Sequence, residues 1–311
     1  MSLPPPTLPG TGDPRVLARA RMLHLRARQA VAGLHHGAHA SVRLGHDAEF
    51  VDHAPYQPGD ALRDVDWRVL GRSDRLVVRR RRAERVLSGT VVLDASADLG
   101  STPGKWDHAV GLAATLAWFL HTVGEPVGLE VAAGEGVAVR RLPARGGSRH
   151  AALVLRTLAA VRPAGRASLD GTFRAIGGRL GARSLVAVVG DFMEEPDEWR
   201  AAVHALVRNR VDLRALHVTD PEELGLAFDA PLRVRSPESG EERPLDPDAA
   251  RTPFAAEVQR WRGEVRSALR AARGVVLDAP VGAPLVDLLA AFAWGGGGHP
   301  LRNASPAGRS A

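Results

Sequence analysis

Apolar and polar positions divide this chain into stretches of different period. Between residues 13 and 34, arginine, alanine and leucine recur at helical spacing, which predicts an amphipathic helix with Asp13 as N-cap and Pro14 in its first turn. From 37 to 85 the chain is polar and turn-rich (Pro55, Pro58-Gly59, Asp74), the pattern of a small strand-containing module. The character changes at Ser88. Thr90-Val91-Val92-Leu93 is a short β-branched run ending in Asp94, as expected of a buried strand. A long apolar helix is predicted over 106–122, strands over 127–132 and 136–142, and helices over 148–161 and 169–180. A second β-branched run, 184–189, leads to Asp191. A helix (196–207), a strand (213–218), and a polar insertion (220–248) with a hairpin signal at Ser239-Gly240 come next. The pattern closes with a helix (253–272), a strand (275–277) and a helix (283–293).

Strands alternating with helices over this distance predict an α/β fold, a mostly parallel sheet flanked by helices, preceded by the small N-terminal module. The expected divisions are a disordered lead-in (1–12), the N-terminal helix and small module (13–87), the α/β domain (88–294) and a disordered tail (295–311). Ligands of such folds bind at the C-terminal ends of the strands. Asp94 and Asp191 both fall at such ends.

Composition narrows the chemistry. The chain has no cysteine, so disulfides, thiolate metal sites and a cysteine nucleophile are excluded. Its net charge of +6 comes from arginines interspersed with 35 acidic residues, and Lys105 is its single lysine. The basic run at residues 79–82 fits a charged edge strand better than a phosphate-binding stripe, and no aromatic platform accompanies it, so nucleic acid is not an expected partner. The longest apolar stretch, 109–120, is too short to cross a bilayer, and no signal peptide is visible; a cytoplasmic location without membrane insertion is expected. His35, His36, His39, His46 and His53 follow no zinc spacing and read as exposed loop residues.

Candidate chemistry begins at Asp94-Ala95-Ser96-Ala97-Asp98, where carboxylate, hydroxyl and carboxylate alternate after a buried strand. Hard oxygen ligands on one tight loop suit Mg²⁺, Mn²⁺ or Ca²⁺. Asp191 can approach from a neighbouring strand. Ser168 offers another hydroxyl, although its place ahead of a helix fits an N-cap better.

This segment resembles the metal-ion-dependent adhesion site of von Willebrand factor A domains, whose first motif is Asp-x-Ser-x-Ser. Asp94 and Ser96 match it, while Asp98 stands in place of the second serine. The resemblance implies that Lys105 opens the first helix, that Ser168 replaces the family's threonine, and that Asp191 is the later aspartate. Upstream, the stretch 49–68 resembles the signature of the bacterial family called domain of unknown function 58. An acidic-Phe pair (Glu49-Phe50) leads to Tyr56-Gln57-Pro58-Gly59-Asp60, then to Arg63-Asp64-Val65-Asp66-Trp67. Ala54 and Ala61 depart from the usual arginine and acidic residue. Read from its residues alone, the signature is a turn followed by an ion-pair cluster (Arg63, Asp64, Asp66, Arg68) that locks the small module onto the α/β domain, with Trp67 as a packing anchor.

The resemblance implies a non-enzymatic adaptor that works with a MoxR-type AAA+ ATPase, through a degenerate adhesion site. Asp98 makes a third carboxylate, leaving about −1 around a divalent ion. The same residues are also compatible with a site that binds no metal. The alternative is a metal-dependent phosphohydrolase using the acidic cluster. That reading lacks the second aspartate wanted two residues after the nucleophile, where Ser96 stands.

Overall fold

Helix α1 (Pro14–Gly37) starts where its capping residue predicts, with Asp13 Oδ1 accepting the Arg15 amide at 2.8 Å. The computed structural model describes residues 13–37, 49–56, 65–73, 76–82, 88–133, 141–181, 184–224, 230–236 and 240–294. The lead-in, the tail, His39, His46, Pro58, Gly59, Asp60 and Arg63 lie outside the described residues. His35 and His36 belong to the end of α1 rather than to a loop.

Residues 43–86 form a unit of their own. In it β1 (Glu49–Pro55) and β2 (Val77–Arg82), separated by α2 (Trp67–Ser73), pair antiparallel with an irregularity between Phe50 and Asp52. The Tyr56 amide donates to Leu76 O (3.0 Å) and the Asp66 amide to Val77 O (2.9 Å), so both signature residues tie into the ladder through the backbone. Val65 is buried, and Asp66 Oδ1 accepts from the Val69 amide at 3.3 Å at the start of α2. Trp67, the first residue of α2, is 59% exposed. The strand carrying residues 79–82 is a two-stranded ribbon edge, as expected of that run.

The larger unit joins α1 to everything after residue 87. Its elements are β3 (Gly89–Asp94), α3 (Pro103–Thr122), β4 (Val127–Ala132), β5 (Arg141–Arg145), α4 (Ser148–Ala160), α5 (Leu169–Gly177), β6 (Leu185–Gly190), α6 (Pro196–Arg208), β7 (Asp212–Thr219), β8 (Leu232–Arg235), β9 (Glu242–Leu245), α7 (Pro247–Ala271), β10 (Val275–Pro280) and α8 (Leu285–Trp294). Six strands form one sheet in the order β10-β7-β6-β3-β4-β5, parallel except for β5. The polar insertion carries the β8–β9 hairpin, and Gly240 in its turn has φ +73°.

Every residue of β3 and β6 is buried, because these central strands are covered on both faces. On one face lies α3, whose middle stretch (residues 109–120) is apolar nearly all round. The sheet covers one side of α3 and α1 the other, and a helix buried all round needs no polar face. The buried positions of α1 (Val16, Ala20, Leu23, Ala27, Ala30, Val31, Leu34) recur every three or four residues and pack on α3, α4 and α8. Hence α1 belongs with the α/β unit, a correction to its grouping with the small module. The opposite face is closed by α5, α6 and α7 around Phe173, Ile176, Phe192, Trp199, Val203 and Leu206.

Two local expectations change. The strand expected over 136–142 is described as β5, which runs on to Arg145 and pairs antiparallel with β4; residues 136–140 lie outside the described residues. Helix α7 starts at Pro247, not 253: Asp246 caps it, accepting from the Asp248 amide at 3.2 Å, and exposed Pro253 is accommodated inside. Among the described residues no helix is long and apolar enough to cross a membrane.

Candidate functional site

From β3 the chain adds β4 on one side and later β6 on the other, so sheet growth reverses between β3 and β6. The crevice at such a switch point, outside the carboxyl ends of the strands, is where open α/β sheets bind ligands. Asp94 ends β3, and Asp191 directly follows Gly190, the last residue of β6. Gly190 makes their approach possible: a Cβ there would meet Asp94 Cβ at 2.7 Å and Asp94 Oδ2 at 3.0 Å. Beyond Asp191 the backbone turns through Phe192 at φ +56°, a left-handed conformation costly for an aromatic residue. Its surroundings hold it there. The ring is fully buried against Trp199 and His217, and Phe192 O accepts from Trp261 Nε1 at 3.2 Å.

The Asp94 loop is fixed by its own side chains. Asp94 Oδ1 accepts from the Ser96 amide (2.9 Å), the hydrogen bond an aspartate makes two residues ahead in a tight turn, and Ser96 Oγ lies 3.4 Å from the Leu99 amide. The Ala95 amide donates to Ala132 O (2.7 Å) and the Ala97 amide to Gly165 O (2.8 Å), clamping the loop between the end of β4 and the segment before α5. Asp98 opens a 3-10 turn (Asp98–Gly100). Asp94, Ser96, Asp98, Asp191, Glu194 and Arg166 line a cavity of about 60 Å³. Ser168 does not line it. Its hydroxyl caps α5, accepting from the Gly171 amide at 3.0 Å, so it is removed from the expected ligand set.

Two carboxylates were not anticipated. Glu194 joins the cavity wall, and its Oε1 accepts from the Leu169 amide at 2.6 Å. Glu223 sits in a 3-10 turn (Pro221–Leu224) after β7. Lys105, 2% exposed in the first turn of α3, places its ammonium 2.7 Å from Asp191 Oδ2 and 2.8 Å from Glu223 Oε2. Ser101 Oγ also donates to Glu223 (2.8 Å), and Thr102, the N-cap of α3, donates to Asp220 Oδ2 (2.8 Å). The start of α3 is thus laced to the segment after β7. The signal in the sequence was the lone lysine among so many arginines, close behind the Asp-x-Ser motif.

Burial pushes the Asp94 carboxyl up to about 8, helped by the negative charge of Asp191. Burial also lifts Asp191, against the pull of the Lys105 ammonium, and lifts Asp98, with Asp191 adding to the effect. Burial disfavours the charged form of Lys105, but Asp191 and Glu223 outweigh it and hold its pKa above the ordinary lysine value. A proton retained in the cluster therefore belongs to Asp94, because Asp191 already faces a cation.

The donor set suits a hard cation in part. Asp191 is buried and lines the cavity, and the neighbouring groups are carboxylates and a hydroxyl. No group of three or more His, Asp or Glu among the described residues forms a ready-made cage. That combination fits Mg²⁺, which takes one or two carboxylates and keeps its waters, better than an all-protein Ca²⁺ site. Asp94, Asp191 and Ser96 would hold it, and it would supply an open coordination position for an oxygen ligand.

Fold and site together define an open, mostly parallel α/β protein with an acidic pocket at its topological switch point. The chain belongs to the family of proteins of unknown function DUF58, whose model matches residues 52–264. Uncharacterized protein Rv1480 of Mycobacterium tuberculosis is 32% identical over 293 residues, covering 92% of this chain and 88% of that protein; Mb1516 of Mycobacterium bovis matches equally. Among solved structures, BatB from Bacteroides thetaiotaomicron aligns with 65% of this chain and 95% of its own at 14% identity and a TM-score of 0.42. An aerotolerance-related membrane protein from Bacteroides fragilis aligns with 66% of this chain and 96% of its own, at 14% identity and a TM-score of 0.44.

Proposed function

We propose that this chain is a non-enzymatic binding protein that captures a partner at the β3–β6 rim through a degenerate metal-ion-dependent adhesion site. A divalent ion, Mg²⁺ in the first instance, sits between Asp94 and Asp191 with Ser96, and a partner's carboxylate completes its shell. The observation that carries this reading is the side-by-side placement of the two strand-end aspartates, both lining the cavity together with Ser96. Asp98 makes the loaded site more negative and competes for the open position, so acidic ligands bind weakly until Asp98 is replaced by serine. The family resemblance points to a MoxR-type AAA+ ATPase as the partner.

Calorimetry with Mg²⁺ on the wild type and on Asp94→Ala tests the ion site; binding lost in the variant supports it, and indistinguishable traces refute it. A pull-down with a MoxR-type ATPase, with and without Mg²⁺, tests the partner, and no association under either condition discards it. The phosphohydrolase alternative finds little support. The aspartate that reading wants two residues after the nucleophile is replaced by Ser96, whose amide is bonded back to Asp94.

A further inference from the structure

We propose that Lys105 is a tethered cation of the acidic pocket, which an incoming divalent ion displaces from Asp191 toward Glu223. The inference rests on the divalent-ion reading above. Lys105 is the only lysine in a chain of 311 residues, and it is one of the largest fully buried side chains. Its position is unfavourable in two respects. Burial opposes its charge, and the first turn of a helix is the positive end of the helix dipole, where a cation is disfavoured. Asp191 and Glu223 must therefore supply what holds it there.

The two carboxylates are not equivalent. Asp191 is buried, gives Oδ2 to the ammonium, and lines the cavity. Glu223 is 36% exposed, and its Oε1 is further fixed by Ser101. A divalent ion reaching Asp191 would lie within a few ångströms of the ammonium, and like charges that close in a poorly solvated pocket repel strongly. Lys105 need not lose every partner to relieve this. It can release Asp191 and keep Glu223, at the better-solvated side. Two consequences follow: without the ion, Lys105 neutralises the pocket; with it, the link between Asp191 and the turn at Pro221–Leu224 opens. The pocket then exchanges one cation for another instead of filling a vacancy.

The test is Mg²⁺ calorimetry, with NaCl matched for ionic strength, on the wild-type chain, Lys105→Met and Glu223→Gln. Lys105→Met is expected to bind Mg²⁺ about tenfold more tightly than the wild type, since the competing charge is gone. Glu223→Gln is expected to bind it more weakly, since the displaced ammonium has no acceptor. A lysine that merely supports the fold would weaken binding in both. Equal or weaker binding by Lys105→Met overturns the displacement while leaving the ion site standing. No heat from the wild type or Lys105→Met sinks the ion reading and this inference together.

Should Lys105→Met fail to fold, the wild type still decides. Isotope-labelled lysine gives a single side-chain resonance, which must shift on Mg²⁺ addition and not on NaCl addition. An unmoved resonance at saturating Mg²⁺ overturns the proposal.

Discussion

Two buried cations lie toward opposite ends of the main sheet's strands, and they are satisfied in different ways. Arg214, near the start of β7, forks onto Asp212 (2.8 to 3.3 Å), donates to the Phe292 carbonyl, and stands over the Phe292 ring at 5.2 Å. Its carboxylate, Asp212, keeps some contact with water. Lys105, at the carboxyl end, is held by two carboxylates, one of them buried and lining the cavity with Asp94 beside it. Planar guanidinium geometry suits a closed structural pair, whereas an ammonium on a flexible stem suits a contact that is made and released. A buried charge closed onto its own strand reads as architecture, and one whose carboxylate also lines an acidic cavity reads as a site.

The comparison breaks most visibly at Arg214. Arg214→Leu strips a buried charge from Asp212 and orphans the Phe292 carbonyl, at an expected cost of about 3 kcal/mol, the low end for a broken buried pair because Asp212 is partly solvated. Urea unfolding measures it, and Mg²⁺ should not restore the loss. An effect under about 1 kcal/mol would reduce this pair to the worth of a surface salt bridge.

His217 lies on β7 between the two sites, buried against Phe192, with its pKa pushed down by burial to about 4 from an ordinary 6.5. The unfolded chain binds that proton more readily, so the contribution of His217 is complete above pH 6.5 and lost as the pH falls toward 4. The full loss is about 3 kcal/mol. His217→Gln should flatten the unfolding free energy across that window relative to the wild type, and parallel pH curves would show that this histidine is not kept neutral.

At Asp94 the sign reverses. With a chelator present, Asp94→Asn removes a carboxylate that burial and Asp191 disfavour, so the chain should gain about 1 kcal/mol while losing ion binding, the trade-off expected of a functional group. A destabilised variant would place Asp94 with Arg214, as architecture. The smallest effect is expected at Ser168: Ser168→Ala forfeits the cap of α5, about 1 kcal/mol or less, with ion affinity unchanged. A drop in that affinity would return Ser168 to the ligand set.

Local pattern carried much of this molecule. The β-branched runs at 90–93 and 184–189, each leading to an aspartate, located β3, β6 and both strand-end carboxylates. The stretch 49–68 identified the family, and the continuous apolar surface of 109–120 marked the helix buried between the sheet and α1. Such features are legible because period, side-chain volume and turn chemistry act between residues close in sequence. Which groups meet across the fold was decided elsewhere. Lys105 touches Asp191 and Glu223 because of strand order and the crossovers that return each chain segment to the same edge, and no local period encodes those. Ser168 shows the limit most simply: its sequence allowed a cap or a ligand, and the position of α5 relative to the cavity chose the cap. Side chains separated by most of a domain interact only once the sheet has assembled, so tertiary structure alone could turn two aspartates and a lone lysine into one electrostatic unit.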